Sequence, residues 1–202
     1  IYLKALPLET WKAKTWTQLT HTPQIQISDR YLPPIAIPET AKLIGIKSAK
    51  GTGKTKLLEN IVADAIAKGQ WVLAIGHRIQ LVQALCQRFG LKYITEIERD
   101  STDLEKGYGL CIDSLHPNSS AKFQAMDWSN GIVIIDEVEQ VLWHGLNSAT
   151  CKDNRVAILK SLKILMQNIL GGEGQVYVAD ADLSDTSLDY LTSLSGINLE
   201  PF

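Results

Sequence analysis

The sequence predicts an α/β fold in which a mainly parallel central sheet is flanked by helices. Three observations predict it. Short apolar runs alternate with stretches of helical periodicity, the run 131–135 carries no polar side chain, and a glycine-rich loop joins a strand-like run to a helix-like one. Unbroken apolarity is what a strand needs when helices cover both faces of a parallel sheet.

The elements follow in order. Residues 1–40 are punctuated by Pro7, Pro23, Pro33, Pro34 and Pro38. Proline lacks an N–H donor and clashes inside a helix, so the stretch has room for one helix, near 8–19. Alternating polar and apolar residues over 24–28 predict a short edge strand. Residues 1–40 are therefore read as an arm and 41–202 as the domain. Within the domain, 43–47 is a strand and 54–68 a helix whose apolar stripe is Leu57, Leu58, Ile61, Val62, Ala65 and Ile66. Gly69 suits its C-terminal cap. A second strand spans 70–75, and a second helix runs over 79–89 and stops at Gly90. Further strands are expected at 92–95, 109–112, 131–135 and 175–179, with a helix at 156–170.

Composition narrows the class. The 202 residues are 45% hydrophobic and 21% charged, enough for one sizeable core and no sign of disorder. A net charge of -2 gives no global attraction to nucleic acid, so any such contact must be local. No apolar run approaches the roughly 20 residues that cross a bilayer, and the first residues lack the apolar stretch of a signal peptide. Cys86, Cys111 and Cys151 show no C-x-x-C spacing, which predicts neither a disulfide nor a metal site and fits a reducing, cytoplasmic setting. The chain begins at Ile1 rather than Met, so the expectation is a piece of a longer protein.

Two motifs carry chemistry. Ser48, Ala49, Lys50, Gly51, Thr52, Gly53, Lys54 and Thr55 match the phosphate-binding loop G-x-x-x-x-G-K-[ST] except at its first position. Gly51 and Gly53 allow a tight turn that aims backbone N–H groups at phosphate oxygens. Lys54 would reach the β- and γ-phosphates of a nucleoside triphosphate, Thr55 would ligate Mg2+, and the helix N-terminus adds its positive end. The second motif is the apolar run ending in Asp136 and Glu137. A strand there delivers Asp136 to the sheet's carboxyl edge to hold magnesium, while Glu137 orients and deprotonates the attacking water. Lys54 and Glu137 are thus the catalytic candidates.

Weaker signals lie at other strand ends. His77 and Arg78 open a helix and could meet nucleic-acid phosphates, and Ser114 could donate to another; a surface ion pair of Arg78 and capping contacts by His77, Asp113 or Ser114 read equally well. Asp180-Ala181-Asp182 ends the last strand, where Asp180 could sense the γ-phosphate region through Glu137 or water. Trp143 and His144 are read as packing of the helix that follows the acidic box, and no stacking platform is assigned to the five tryptophans.

Together, Ser48–Thr55 in the A-x-x-G-x-G-K-T style, His77-Arg78, Asp113-Ser114-Leu115, Asp136-Glu137 and Asp180-Ala181-Asp182 resemble the first RecA-like domain of a superfamily 2 helicase. The chain is similar to viral origin-binding replication helicases, and with Arg30-Tyr31-Leu32 still more to the helicase-like portion of cyanobacterial plasmid replication proteins. The resemblance implies ATP hydrolysis coupled to movement on single-stranded DNA. It assigns the nucleic-acid contacts to His77, Arg78 and Ser114, and coupling to Asp180. The resemblance to helicases, which often carry a glutamine upstream of such a loop, implies Gln24 or Gln26 as the candidate for adenine. It also implies a second RecA-like domain that supplies arginine fingers. Only 20 residues follow Asp182, so slow hydrolysis is expected of this chain alone. The rival readings are a small-molecule kinase or transferase and a nucleotide-dependent binding module without catalysis.

Overall fold

A computed structural model describes residues 18–97 and 106–202. The helix expected near 8–19 lies almost wholly outside the described residues. Six strands form one sheet: β1 (Leu43–Lys47), β2 (Val72–Gly76), β3 (Lys92–Tyr93), β4 (Gly107–Cys111), β5 (Ile132–Asp136) and β6 (Gln175–Asp180). Every pairing is parallel, in the order β1-β6-β5-β2-β4-β3. The helices are α1 (Lys54–Ala67), α2 (Ile79–Phe89), α3 (Val138–Asn147), α4 (Arg155–Gly171) and α5 (Asp185–Ser195).

Side chains alternate across the strands and so divide the core in two. Ile44, Ile46, Val72, Ala74, Ile132 and Ile134 pack under α1 and α2, whose buried stripe includes Leu57, Leu58, Val62, Val82 and Cys86. Leu43, Leu73, Ile75, Val133, Ile135, Val176 and Val178 face α3, α4 and α5. With both faces covered, all five positions of β2 and of β4 are buried. Close approach depends on small residues: a Cβ on Gly109 would lie 2.3 Å from Cys86 Sγ on α2.

Several expectations change. Residues 24–28 are not a strand, because the outer edge of β1 is already paired. Gly45 N–H donates to Phe202 O and Phe202 N–H to Leu43 O, both at 2.8 Å. The chain's last residues thus occupy the place an arm strand would need. The strand expected at 92–95 ends at Tyr93, where a 3-10 turn over Ile94–Glu96 takes over. That at 109–112 starts earlier, at Gly107, and yields to a second such turn, Ile112–Ser114. Helix α5 was not expected from its weak apolar pattern, yet its boundary residues are standard: Ser184 at the N-cap, Asp185 in the first turn and Gly196 just beyond.

The described part of the arm is tied down at two places. Leu32 N–H donates to Thr52 O at 2.9 Å, and Leu32, Ile35 and Ile37 cover the α1 side of the core. Farther back, the Asp185 carboxylate accepts from Thr20 N–H (2.7 Å) and its hydroxyl (2.8 Å).

Candidate functional site

Parallel strands end together, so β1, β6 and β5 bring their following loops to one edge of the sheet. The loop after β1 is built by its glycines. Gly51 (φ 79°) and Gly53 (φ 92°) adopt the left-handed conformation, and a Cβ at Gly51 would meet nothing within 4 Å. Side chains brace the turn from inside. Ser48 Oγ and Thr52 Oγ1 share a hydrogen bond of 2.8 Å, and the Thr52 hydroxyl donates to Ala49 O at 2.8 Å. Neither alanine nor glycine at position 48 could make that contact. The Lys54 ammonium folds over the loop and donates to the carbonyls of Ser48 (2.6 Å) and Ala49 (2.9 Å).

Asp136 and Glu137 stand opposite. Asp136 Oδ1 accepts from Glu137 N–H at 3.1 Å. Glu137 itself is held at φ 56°, ψ 50°, a left-handed conformation rare for a side-chain-bearing residue. It is the N-cap of α3, so this backbone turn swings the helix off β5 and leaves the carboxylate beside the loop. Burial raises the Asp136 carboxyl above its usual range, and the negative charge of Glu137 adds to the effect, against the opposing pull of Lys54. Lys50, Gly51, Gly53, Lys54, Thr55, Asp136, Glu137 and Asp180 line one open cleft of about 400 Å³. The hydroxyl of Thr55 and the carboxylate of Asp136 are hard oxygen donors of the kind Mg2+ takes, and a cation there would relieve the crowded charge of Asp136 and Glu137.

Asp180 lines the same cleft and also holds two backbone groups. Its carboxylate accepts from Glu139 N–H (3.1 Å) and Asp182 N–H (2.9 Å), so it reaches α3 through the backbone of Glu139 and not through the Glu137 side chain. Glu139 in turn caps α5: its Oε1 accepts from Ser184 N–H (2.9 Å) and the Ser184 hydroxyl (2.8 Å). The chain β6–α3–α5 is thereby laced by two acids. Glu139 was missed in the sequence because its partner lies 45 positions away.

The three residues expected at nucleic acid have different surroundings. Arg78 is exposed at the N-cap of α2. His77 is 8% exposed, and burial, aided by the charges of Arg78 and His144 and opposed by Glu137, holds its imidazole below the usual value. A neutral ring in that position gives no charge to a phosphate. Ser114 is half-buried, and its carbonyl accepts from the Ser119 hydroxyl at 2.8 Å. His144 connects these regions: its ring lies 6.1 Å from that of His77, and its Nε2 is 3.0 Å from Asp113 Oδ2. Burial disfavours a charged Asp113, but hydrogen bonds from Thr150, Cys151 and His144 outweigh it and hold the carboxyl low. Trp143 does not pack α3 as expected; it is 54% exposed and borders, with Arg78, Leu146 and Tyr190, a groove of about 760 Å³.

The adenine candidates separate as well. Gln24 lines a cavity of about 380 Å³ with Ser48, Ala49 and Thr52, and its amide donates to Pro201 O at 3.0 Å; Gln26 is exposed and does not line it.

No known family model matches the chain. It is similar to an uncharacterized protein of Picosynechococcus sp., 40% identical over 204 residues. The alignment includes the whole of this chain but 20% of the relative, so the chain spans about a fifth of that protein's length.

Proposed function

We propose that the chain is an ATP-binding and hydrolysing motor domain of a DNA replication helicase, of the kind carried by plasmid replication proteins. One observation supports this above the others: the glycine loop, Lys54, Thr55, Asp136 and Glu137 line a single cleft at the carboxyl edge of an all-parallel sheet. In this reading the N–H groups of residues 50–55 and the Lys54 ammonium hold the phosphates. Thr55 and Asp136 would hold Mg2+, which would supply positive charge to neutralise the phosphate oxygens. Glu137 takes the proton of the attacking water. Asp180 passes changes at the cleft to α3 and α5 through Glu139. Arg78, at a free helix N-terminus, is the contact for a DNA phosphate, with Ser114 farther along the edge.

A small-molecule kinase would place a substrate where the attacking water would stand, and a binding module would dispense with Glu137. The narrower assignment to plasmid replication proteins draws on the motif resemblance, with which the relative's cyanobacterial source agrees. No helix among the described residues is long and apolar enough to cross a membrane, and a cytoplasmic setting is part of the proposal.

The decisive assay is ATP turnover by the longer parent protein with and without single-stranded DNA. The expected result is stimulation by DNA that disappears in Lys54→Ala and Glu137→Gln. Phosphate transfer to a metabolite, with no response to DNA, overturns the motor. Equal ATP–Mg2+ affinity of wild type and Lys54→Ala overturns the phosphate loop.

A further inference from the structure

We propose that Asp113, His144 and Cys151 form a binding site for one divalent metal ion of the zinc type, separate from the phosphate cleft. The three residues come from three elements. Asp113 sits in the 3-10 turn after β4, His144 in the last turns of α3, and Cys151 just before α4. Their donor atoms lie within 4.8 Å of one another. His144 Nε2 is 3.0 Å from Asp113 Oδ2, and Cys151 Sγ is 3.3 Å from Asp113 Oδ1. Ligand atoms about 2.0–2.3 Å from a tetrahedral zinc ion stand roughly 3.3–3.8 Å apart, so side-chain adjustments of less than an ångström admit the ion.

The donor set selects the metal. Imidazole nitrogen, carboxylate oxygen and thiolate sulfur together suit zinc and its neighbours, whereas Mg2+ and Ca2+ take oxygen alone. Binding replaces the thiol S–H bond by a metal–sulfur bond and releases that proton to solvent.

The surroundings hold the ligands in place. Thr150 Oγ1 donates to Asp113 Oδ1 and shares a 2.8 Å hydrogen bond with Ser148 Oγ. The Arg155 guanidinium donates to the carbonyls of Gly145 and Ser148, closing the turn that carries Thr150 and Cys151. Cys151 is fully buried, while the side chains of His144 and Asp113 are 21% and 28% exposed. The thiol thus closes the inner side, and the outer side leaves a fourth position to water. An ion there would clamp the end of β4 and the α3–α4 turn to α3, the helix whose N-cap is Glu137. None of the three ligands lines the phosphate cleft, so the site stands or falls apart from the proposed ATPase.

Without a metal the same atoms form a hydrogen-bonded cluster around the Asp113 carboxylate, and cobalt(II) distinguishes the two. The purified chain, stripped with a chelator, is titrated with Co2+ in the presence of excess Mg2+. The expected result is a sulfur-to-cobalt charge-transfer band that saturates at one equivalent and is bleached by Zn2+. The band should survive in Lys54→Ala, vanish in Cys151→Ser, and require at least about tenfold more Co2+ in His144→Gln, which retains the thiol and replaces a partly exposed residue. Absence of the band overturns the site. So does a band unchanged in His144→Gln, or one that persists in a folded Cys151→Ser, since Cys86 or Cys111 would then be its source.

Discussion

Two stretches of the sheet's carboxyl edge are constructed by opposite means. At β1 and β5 the backbone builds the site: two left-handed glycines, a run of N–H groups, and Glu137 forced into a positive φ. At β4 the side chains build it, with Asp113, His144, Thr150 and Cys151 meeting from segments up to 38 positions apart. The first kind of site is specified by neighbours in sequence and tolerates little change in them. The second is specified by packing, because β4, α3 and the α3–α4 turn must first be set by the core. His144 and His77 mark where the two territories touch.

The comparison is most exposed at Glu137. Replacing it with glutamine keeps the shape of the side chain and removes the proposed base. Hydrolysis by the parent protein should fall at least about 100-fold while ATP binding persists, measured by steady-state turnover and by nucleotide titration. Loss of binding instead would mean that the side chain helps to shape the loop.

The core that sets the β4 end should be nearly as sensitive. Gly107 has φ 97°, and a Cβ there would lie 2.0 Å from Val72 O, a backbone atom that cannot turn aside. Gly107→Ala should lower unfolding free energy by about 3 kcal/mol or prevent folding, read by chemical denaturation. A wild-type midpoint would show that β2 and β4 can separate freely.

A smaller effect is expected between the two territories, at Glu139. Glu139→Ala leaves the N–H and hydroxyl of Ser184, a residue 1% exposed, without their acceptor. The expected cost is about 1–3 kcal/mol, with earlier amide exchange in α5 than in α1. Uniform exchange would contradict the proposed lacing of β6, α3 and α5.

The backbone strain at Glu137 is testable by itself. Glu137→Gly and Glu137→Ala both lack the carboxylate, but only glycine accepts φ 56° freely. The glycine variant should be more stable by about 1 kcal/mol, whereas equal midpoints would remove the strain from the account.

Asp136 yields the gentlest signal. Its carboxyl is raised in the fold by burial and by Glu137, so the native state holds its proton more tightly than the unfolded chain does. Ionised Asp136 therefore opposes folding above its raised value. That opposition fades as pH falls through it and is gone below the ordinary carboxylate range. In chelator at neutral pH, Asp136→Asn should melt no lower than wild type and should lose the stabilisation by Mg2+ and ATP. A lower melting point in the asparagine variant would show that the charge supports the fold.

The sequence by itself determined the α/β class and the strands at 43–47 and 175–179 almost to the residue, and it marked the glycine loop and the Asp136-Glu137 pair that the fold brings to one cleft. These are local matters: strand apolarity, helix periodicity and glycine conformations act between near neighbours, and each leaves a readable pattern. Tertiary structure alone decided that Phe202 and not the 24–28 segment pairs with β1, since two candidates compete for one edge. It also decided that Asp180 grips Glu139, that His77 is buried and Trp143 exposed, and that Cys151 lies against Asp113 and His144. Those outcomes depend on strand order, and a chain that runs β5–α3–α4–β6 while placing β6 between β1 and β5 does not write that order into any contiguous stretch.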